Sequence, residues 1–275
     1  MRGKMFLAAL LVVGWVAAAQ ADIIYQDAFH RRTDNGDGTY SVKALSGTVP
    51  DVVGSTAWTA NALWGTQISG STGAGYATVN ASSAGNYSAW LPVTIQQGYV
   101  YTLSASFQTY SGASYGTSGK YGMLGFAYSA STPTGTTAFS SVGTAYAIEK
   151  TGASTTDCLE FGRGYTACSY TSSKLNYVTY SQSQADDRVY HSLKVVLDTT
   201  GSSWTLGTYL DNATTPYNTY TYTTNPSVNY VGFGATRDLT AANFTLTRAV
   251  PEPSTFAMLV AGAVGALACA WRKRK

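Results

Sequence analysis

From Gly98 to Tyr110 the chain alternates: Tyr99, Tyr101, Leu103, Ala105 and Phe107 recur at every second position, with polar Thr102, Ser104, Ser106 and Gln108 in the opposite phase. A period of two puts all the apolar members on one face of an extended strand, and a helix of period 3.6 would scatter them. This stretch therefore predicts a half-buried strand, and its length demands a sheet with a covered inner face. The composition agrees. Thr, Tyr and Val fit a pleated surface, while helix-favouring Glu, Lys and Leu are scarce between residues 22 and 249.

Further short runs with Gly, Asn and Ser between them read as strands: Ile23–Phe29, Tyr40–Leu45, Tyr76–Asn80, Tyr121–Tyr128, Ala145–Glu149 and Leu175–Tyr180. Tyr190–Leu197, Trp204–Leu210, Tyr217–Tyr222, Val228–Ala235 and Phe244–Thr247 continue the series. Many short strands with regular punctuation predict one all-β, antiparallel sandwich over residues 22–249.

Both ends of the chain have a different character. Arg2 and Lys4 precede an apolar stretch from Phe6 to Ala19, and Ala19-Gln20-Ala21 is an A-x-A cleavage pattern ahead of Asp22. Residues 1–21 thus read as a secretory signal peptide, removed by signal peptidase with Ala19 and Ala21 in its small-residue pockets. At the other end, Val250-Pro251-Glu252-Pro253-Ser254 leads into an uncharged, proline-free run from Thr255 to Trp271 and then Arg272-Lys273-Arg274-Lys275. As a helix that run would be about 26 Å long, near the lower limit for crossing a hydrocarbon core of about 30 Å. The four cations would stay on the cytoplasmic side and leave the preceding domain outside.

The order Pro-Glu-Pro, apolar helix, basic terminus resembles the PEP-CTERM protein-sorting signal of exported Gram-negative bacterial proteins. The resemblance covers residues 250–275. It implies recognition by an exosortase, a membrane-embedded transpeptidase-like protease, acting near Pro251, Glu252 and Pro253. It also implies an inner-membrane-anchored precursor and then a product at the cell surface or outside the cell. The alternative reading of the same residues is a plain single-span anchor.

The two ends also distort the charge. Of 17 Lys and Arg, six lie in residues 1–21 and 272–275, and of 14 Asp and Glu only Glu252 lies outside 22–250. The remaining 11 cations and 13 anions give the exported part a net charge near −2. That is no basis for nucleic-acid binding.

Within the ectodomain, His191-Ser-Leu-Lys-Val-Val-Leu-Asp198, then Trp204, then Tyr209-Leu-Asp-Asn212 resembles the late strands of laminin-G-like and concanavalin-A-like jelly rolls. The resemblance covers about a quarter of the chain. It implies that Ile24–Phe29 and Phe244–Thr247 pair as first and last strands. It implies no activity, because jelly rolls host lectins, hydrolases and inert spacers alike.

Candidate chemistry is sparse. Gly112-Ala113-Ser114-Tyr115-Gly116 matches G-x-S-x-G, but the residues after it read as loop and strand, not as the helix a nucleophile elbow needs. His30 and His191 have no local triad or metal partner in the sequence and read as structural. Asp34-Asn35-Gly36-Asp37-Gly38 reads as a hairpin tip, with a weaker calcium alternative through Asp34 and Asp37. Glu149 and Glu160 are the glutamates between residues 22 and 250, and Asp186-Asp187 reads as a solvated turn, so the chain lacks the clustered carboxylates of polysaccharide hydrolases. Cys158 and Cys168, ten apart in an exported chain, predict a local disulfide. No cofactor is expected.

Aromatic side chains remain as the feature that could bind a ligand. Tyr217, Tyr220, Tyr222 and Tyr230 cluster late in the chain, and Trp58, Trp64, Trp90 and Trp204 are spread through it. Sugar rings stack on such faces, whereas core packing uses the same residues. The expected function is therefore a non-catalytic structural or adhesive surface protein, with extracellular polysaccharide as a candidate partner. A carbohydrate-binding module stands second and a divergent polysaccharide-active enzyme third.

Overall fold

The computed structural model describes residues 21–35, 40–52, 56–69, 73–79, 87–109, 120–134, 143–151, 156–162, 177–181, 190–235 and 239–250. The first strands are β1 (Asp22–Asp27), β2 (Thr33–Asp34), β3 (Tyr40–Ser41), β4 (Lys43–Ala44), β5 (Thr59–Ala60) and β6 (Trp64–Ile68). Next come β7 (Gly75–Val79), β8 (Tyr87–Pro92), β9 (Val100–Thr109), β10 (Lys120–Ala127), β11 (Gly143–Thr151) and β12 (Thr156–Gly162). The last are β13 (Tyr177–Ser181), β14 (His191–Asp198), β15 (Thr205–Leu210), β16 (Asn218–Thr221), β17 (Tyr230–Ala235) and β18 (Leu239–Ala249).

They form an antiparallel jelly-roll sandwich. One sheet runs β16-β15-β14-β9-β18-β7-β6-β4, with β1 also paired to β18, and the other runs β13-β12-β11-β10-β17-β8-β5. The chain crosses between the sheets at β4–β5, β5–β6, β7–β8, β8–β9, β9–β10, β13–β14, β16–β17 and β17–β18, which is how a jelly roll covers both inner faces. β2 and β3 make a separate small hairpin.

The alternation predicted for β9 is realised: Tyr101, Leu103, Ala105 and Phe107 are buried and Thr102, Ser104, Ser106 and Gln108 half-buried on the outer face. Opposite them, Phe233 of β17 makes ring contacts with Trp58 at 5.3 Å, Trp64 at 4.9 Å, Phe107 at 6.5 Å and Phe244 at 5.9 Å. One side chain thus joins elements of both sheets, and edge-on ring pairs of this kind add about 0.5–1.5 kcal/mol each beyond area burial.

β17 also approaches β8 closely. Gly232 is registered opposite Trp90, and a Cβ at position 232 would lie 2.0 Å from the backbone oxygen of Ala89. A backbone oxygen cannot swing aside as a flexible side chain could. Gly232→Ala is therefore expected to part the two central strands and cost about 1–3 kcal/mol, read as a lowered urea midpoint.

The sequence pattern missed several strands. β8 escapes a period-two reading because Tyr87 to Leu91 are all buried, so no polar face interrupts the run. β5 is too short to show a period, and β6 and β12 were also passed over. The predicted strand over Tyr40–Leu45 is split at Val42 into β3 and β4. The closing strand is longer than Phe244–Thr247 because it continues through a register shift between Ala242 and Thr245, where Asn243 has a φ of 55°.

Candidate functional site

The predicted pairing of the first and last strands is present and places the two ends of the ectodomain side by side. Asp22 is registered opposite Arg248, and Ile23 opposite Thr247. On the other flank of β18, Arg248 and Ala249 are registered with Tyr101 and Val100 of β9. Arg248 Nη2 donates to Asp22 Oδ2 at 3.1 Å and its Nη1 donates to Gln96 Oε1 at 3.2 Å. The guanidinium also lies 4.9 Å from the centre of the Tyr99 ring. An ion pair this exposed adds little by itself. The backbone ladders on both flanks are what hold the strand. Val250, the next residue, is 56% exposed. Pro251, Glu252, Pro253, Ser254 and the run from Thr255 to Lys275 lie outside the described residues, as do Ala19 and residues 1–20 in general. Among the described residues no helix is long and apolar enough to cross a membrane.

A second arrangement, not anticipated from the sequence, surrounds Asp27 at the end of β1. The carboxylate is fully buried. Its Oδ1 accepts from the Phe29 N–H at 2.7 Å, and its Oδ2 accepts from Trp58 Nε1 at 2.7 Å and Arg31 Nη2 at 2.8 Å. The same Arg31 nitrogen reaches the Val49 carbonyl and lies 3.6 Å from Asp51, whose Oδ2 accepts from the Ala28 N–H. Phe29 takes a φ of 56° to close this turn. Burial pushes the Asp27 carboxyl above its ordinary range, opposed by Arg31, the Trp58 N–H and the Phe29 N–H. The cluster ties the residues after β1 to the segments around Val49 and Trp58. The Asp27 carboxylate itself is not exposed to solvent. The signal that could have found it is an aspartate in phase with Tyr25, on the inward side of β1.

The tyrosines separate. Tyr222 is 6% exposed and belongs to the core, which removes it from a sugar-stacking set. Tyr220 leans against it edge-on at 4.9 Å and is half-buried. Both face inward because Tyr217, Thr219 and Thr221 take the exposed alternate positions of edge strand β16. Tyr230 begins β17 in the other sheet and is registered with Pro92 and Ala127. Trp58, Trp64 and Trp90 are buried, and Trp204 is half-buried with its Nε1 donating to Gln97 Oε1 at 2.8 Å.

Tyr217 has neighbours that the sequence did not single out. Its N–H donates to the Thr208 carbonyl, next to Tyr209 on β15. Tyr209 is registered with Lys194, whose Nζ lies 4.1 Å from the tyrosine ring centre. Lys194 is in turn registered with Ser104, and Ser104 with Thr245. The outer face of the nine-stranded sheet therefore carries an aromatic and ammonium group continuous with a band of hydroxyls.

The remaining candidates are placed as follows. His191 Nδ1 lies 3.1 Å from Asp211 Oδ2, and Asp211 Oδ1 accepts from the Ser192 N–H. Asp34 ends β2, opposite Tyr40 of β3, while Asp37 lies outside the described residues. Among the described residues no group of three or more His, Cys, Asp or Glu is disposed to hold a metal ion. Cys158 is in β12, registered with Lys150 and Thr179, and Cys168 lies outside the described residues, as do Ser114 and Asp186-Asp187. Glu149 is registered with Leu159 and Glu160 with Ile148, so the two occupy alternate positions of the pleat.

Comparison with known proteins bears on the tail first. Residues 249–275 match the model of the PEP-CTERM protein-sorting motif. Among curated proteins none matches this chain. Among solved structures, the chain is similar to the carbohydrate recognition domain of Emp47p, with 15% identity over 79% of this chain and 99% of that one and a TM-score of 0.48. It is similar to the endo-1,3-beta-glucanase of Streptomyces sioyaensis, with 10% identity over 84% and 97% of the two chains and a TM-score of 0.46. A protein of unknown function with a galectin-like fold from Bacillus subtilis gives 13% identity, 85% and 99% coverage and a TM-score of 0.43. At these scores the likeness assigns neither a ligand nor a reaction to this chain.

Proposed function

We propose that this is an exported, non-catalytic sandwich protein, sorted by an exosortase through its PEP-CTERM tail and serving a structural or adhesive role at the cell surface or in the extracellular polysaccharide. The observation that carries the reading is the junction at Ala249. The matched sorting motif begins on the last residue of β18, and the domain before it is folded and paired up to that residue. In this reading residues 1–21 are a signal peptide, Thr255–Trp271 anchors the precursor in the inner membrane, and the rest is the delivered cargo. Protein recovered from its native host is expected to begin at Asp22 and to lack Thr255–Lys275 by intact mass. A mature form retaining Met1–Ala21, or one retaining Trp271 and the basic end in its final location, would refute the corresponding half of the reading.

A carbohydrate-binding role is the second reading, and one observation favours it: Lys194 over Tyr209, near exposed Tyr217, on a face that continues through Ser104 to Thr245. A sugar stacks its C–H face on a tyrosine ring while neighbouring polar groups read its hydroxyls. Polysaccharide binding on a glycan array should then fall at least tenfold in Tyr217→Ala or Tyr209→Ala, about 1.4 kcal/mol. Binding unchanged in both variants, or absent from the wild type, would remove this role.

A further inference from the structure

We infer that the end of the sandwich where the chain enters and leaves is a docking surface for the lipid headgroup layer, held there by the tether between β18 and the membrane anchor. The inference rests on the reading of Thr255–Trp271 as that anchor.

The tether is short. Ala249 is the last residue of β18, and residues 250–254 are all that separate it from the apolar run. Five residues span at most about 18 Å when fully extended. Roughly a third of that length is used in crossing a headgroup region about 5–8 Å thick on each side of the hydrocarbon. The strand itself cannot lend slack, because β18 is paired with β9 as far as Ala249 and with β1 as far as Arg248. The amino-terminal side adds a second restraint before signal cleavage. Its apolar run ends at Ala19, and β1 begins at Asp22. Both membrane segments of the precursor thus leave from adjacent positions of one end of the domain.

The strand directions define which surface that is. The end holding Asp22 and Ala249 also holds the loops 93–99, 128–134, 198–204 and 222–229, since β8, β10, β14 and β16 finish there. Those four loops are cross-braced. Thr199 Oγ1 donates to the carbonyl oxygens of Gln96 and Tyr99, Gln97 Nε2 donates to the Gly201 carbonyl, and Asn225 Nδ2 donates to the Ser202 carbonyl. Asn229 bridges to both the N–H and the carbonyl of Ser129. Gly98 turns the first of them with a φ of 94°.

Their chemistry suits the proposed partner. In all four loops Asp198 is the single charged residue, and its Oδ1 accepts from the N–H and hydroxyl of Thr200. Asp22 and Arg248 neutralise each other across the strand pair. Held within about a Debye length of an anionic headgroup layer, a carboxylate-rich end would be repelled. The described loops of this end, in which hydroxyls and amides predominate and Tyr128 is exposed, are not. The consequence is that the outer sheet faces and the opposite end of the domain are the surfaces left for other partners while the precursor is anchored.

The test uses the full-length precursor in phosphatidylethanolamine–phosphatidylglycerol vesicles carrying a headgroup-attached quencher. A small fluorescent residue is introduced at Ser202 or Thr224, on this end, or at Asn212, beyond the other end of β15; all three are exposed. Quenching several-fold stronger at Ser202 and Thr224 than at Asn212 is expected. A flexible Gly-Ser insertion of about 20 residues between Ala249 and Val250 should abolish the difference. Equal quenching at both ends, in protein that floats with the vesicles, would overturn the docking surface and leave the anchor reading intact. Protein that does not float with the vesicles would overturn the anchor reading and this inference with it. A difference unchanged by the insertion would overturn the tether as its cause.

Discussion

Precursor in which Pro251, Glu252 and Pro253 are all replaced by alanine is expected to remain full-length at its C-terminus and to accumulate in the inner membrane. The effect should be close to all-or-none, because the substitution removes the recognised motif and leaves the anchor alone. Thr255–Trp271 keeps its hydrophobicity and Arg272–Lys275 its charges, so insertion and orientation are unchanged. Proline lacks an N–H and disfavours helical conformation in the residue before it, so Pro251 and Pro253 are expected to favour an extended segment. On the proposed anchor reading, alanine at all three positions would let a helix over Thr255–Trp271 extend towards Ala249 and would withdraw the extended substrate. Immunoblots of fractionated cells read the outcome directly. A triple variant processed at the wild-type rate would show that another feature is recognised.

The second large effect concerns stability. Asp27→Ala is expected to cost the sandwich about 3–5 kcal/mol, because it leaves the buried Trp58 N–H without its acceptor and strips the Arg31 guanidinium of its buried counter-charge. That loss is a large fraction of the margin of an ordinary domain. Asp27→Asn should cost clearly less. The amide oxygen can still accept from Trp58 or Phe29, and burial already penalises the charged form at this position. Urea unfolding of the three proteins gives the order wild type, Asn, Ala. An Ala variant within 1 kcal/mol of wild type, a margin set by ordinary surface substitutions, would mean the cluster is not a structural clamp.

The two effects were legible to different degrees. The tail could be read directly because its parts act in linear order: a motif, an apolar length and a terminal charge are properties of consecutive residues. The all-β class and the pairing of first with last strand were also accessible, the former from the alternation of Tyr99 to Gln108 and the latter from the jelly-roll resemblance. β8 was not, because a strand buried on both faces carries no alternation to find. Tyr222 and Tyr220 looked equivalent to Tyr217 in the sequence. Their exposures differ because edge strand β16 turns alternate residues towards the core.

By itself, then, the sequence determined the sorting motif of residues 249–275 and the strand-rich class of the domain before it. Only the tertiary structure decided that Asp27, Arg31 and Trp58 meet, and that Lys194 lies over Tyr209 near Tyr217. It also set the register of the first and last strands that brings Asp22 to Arg248, although they are 226 residues apart. The physical reason is range. Hydrophobic length, charge order and strand period are set by neighbours along the chain, whereas a buried ion pair or a shared corner depends on which strands are hydrogen-bonded, and no local pattern encodes that pairing.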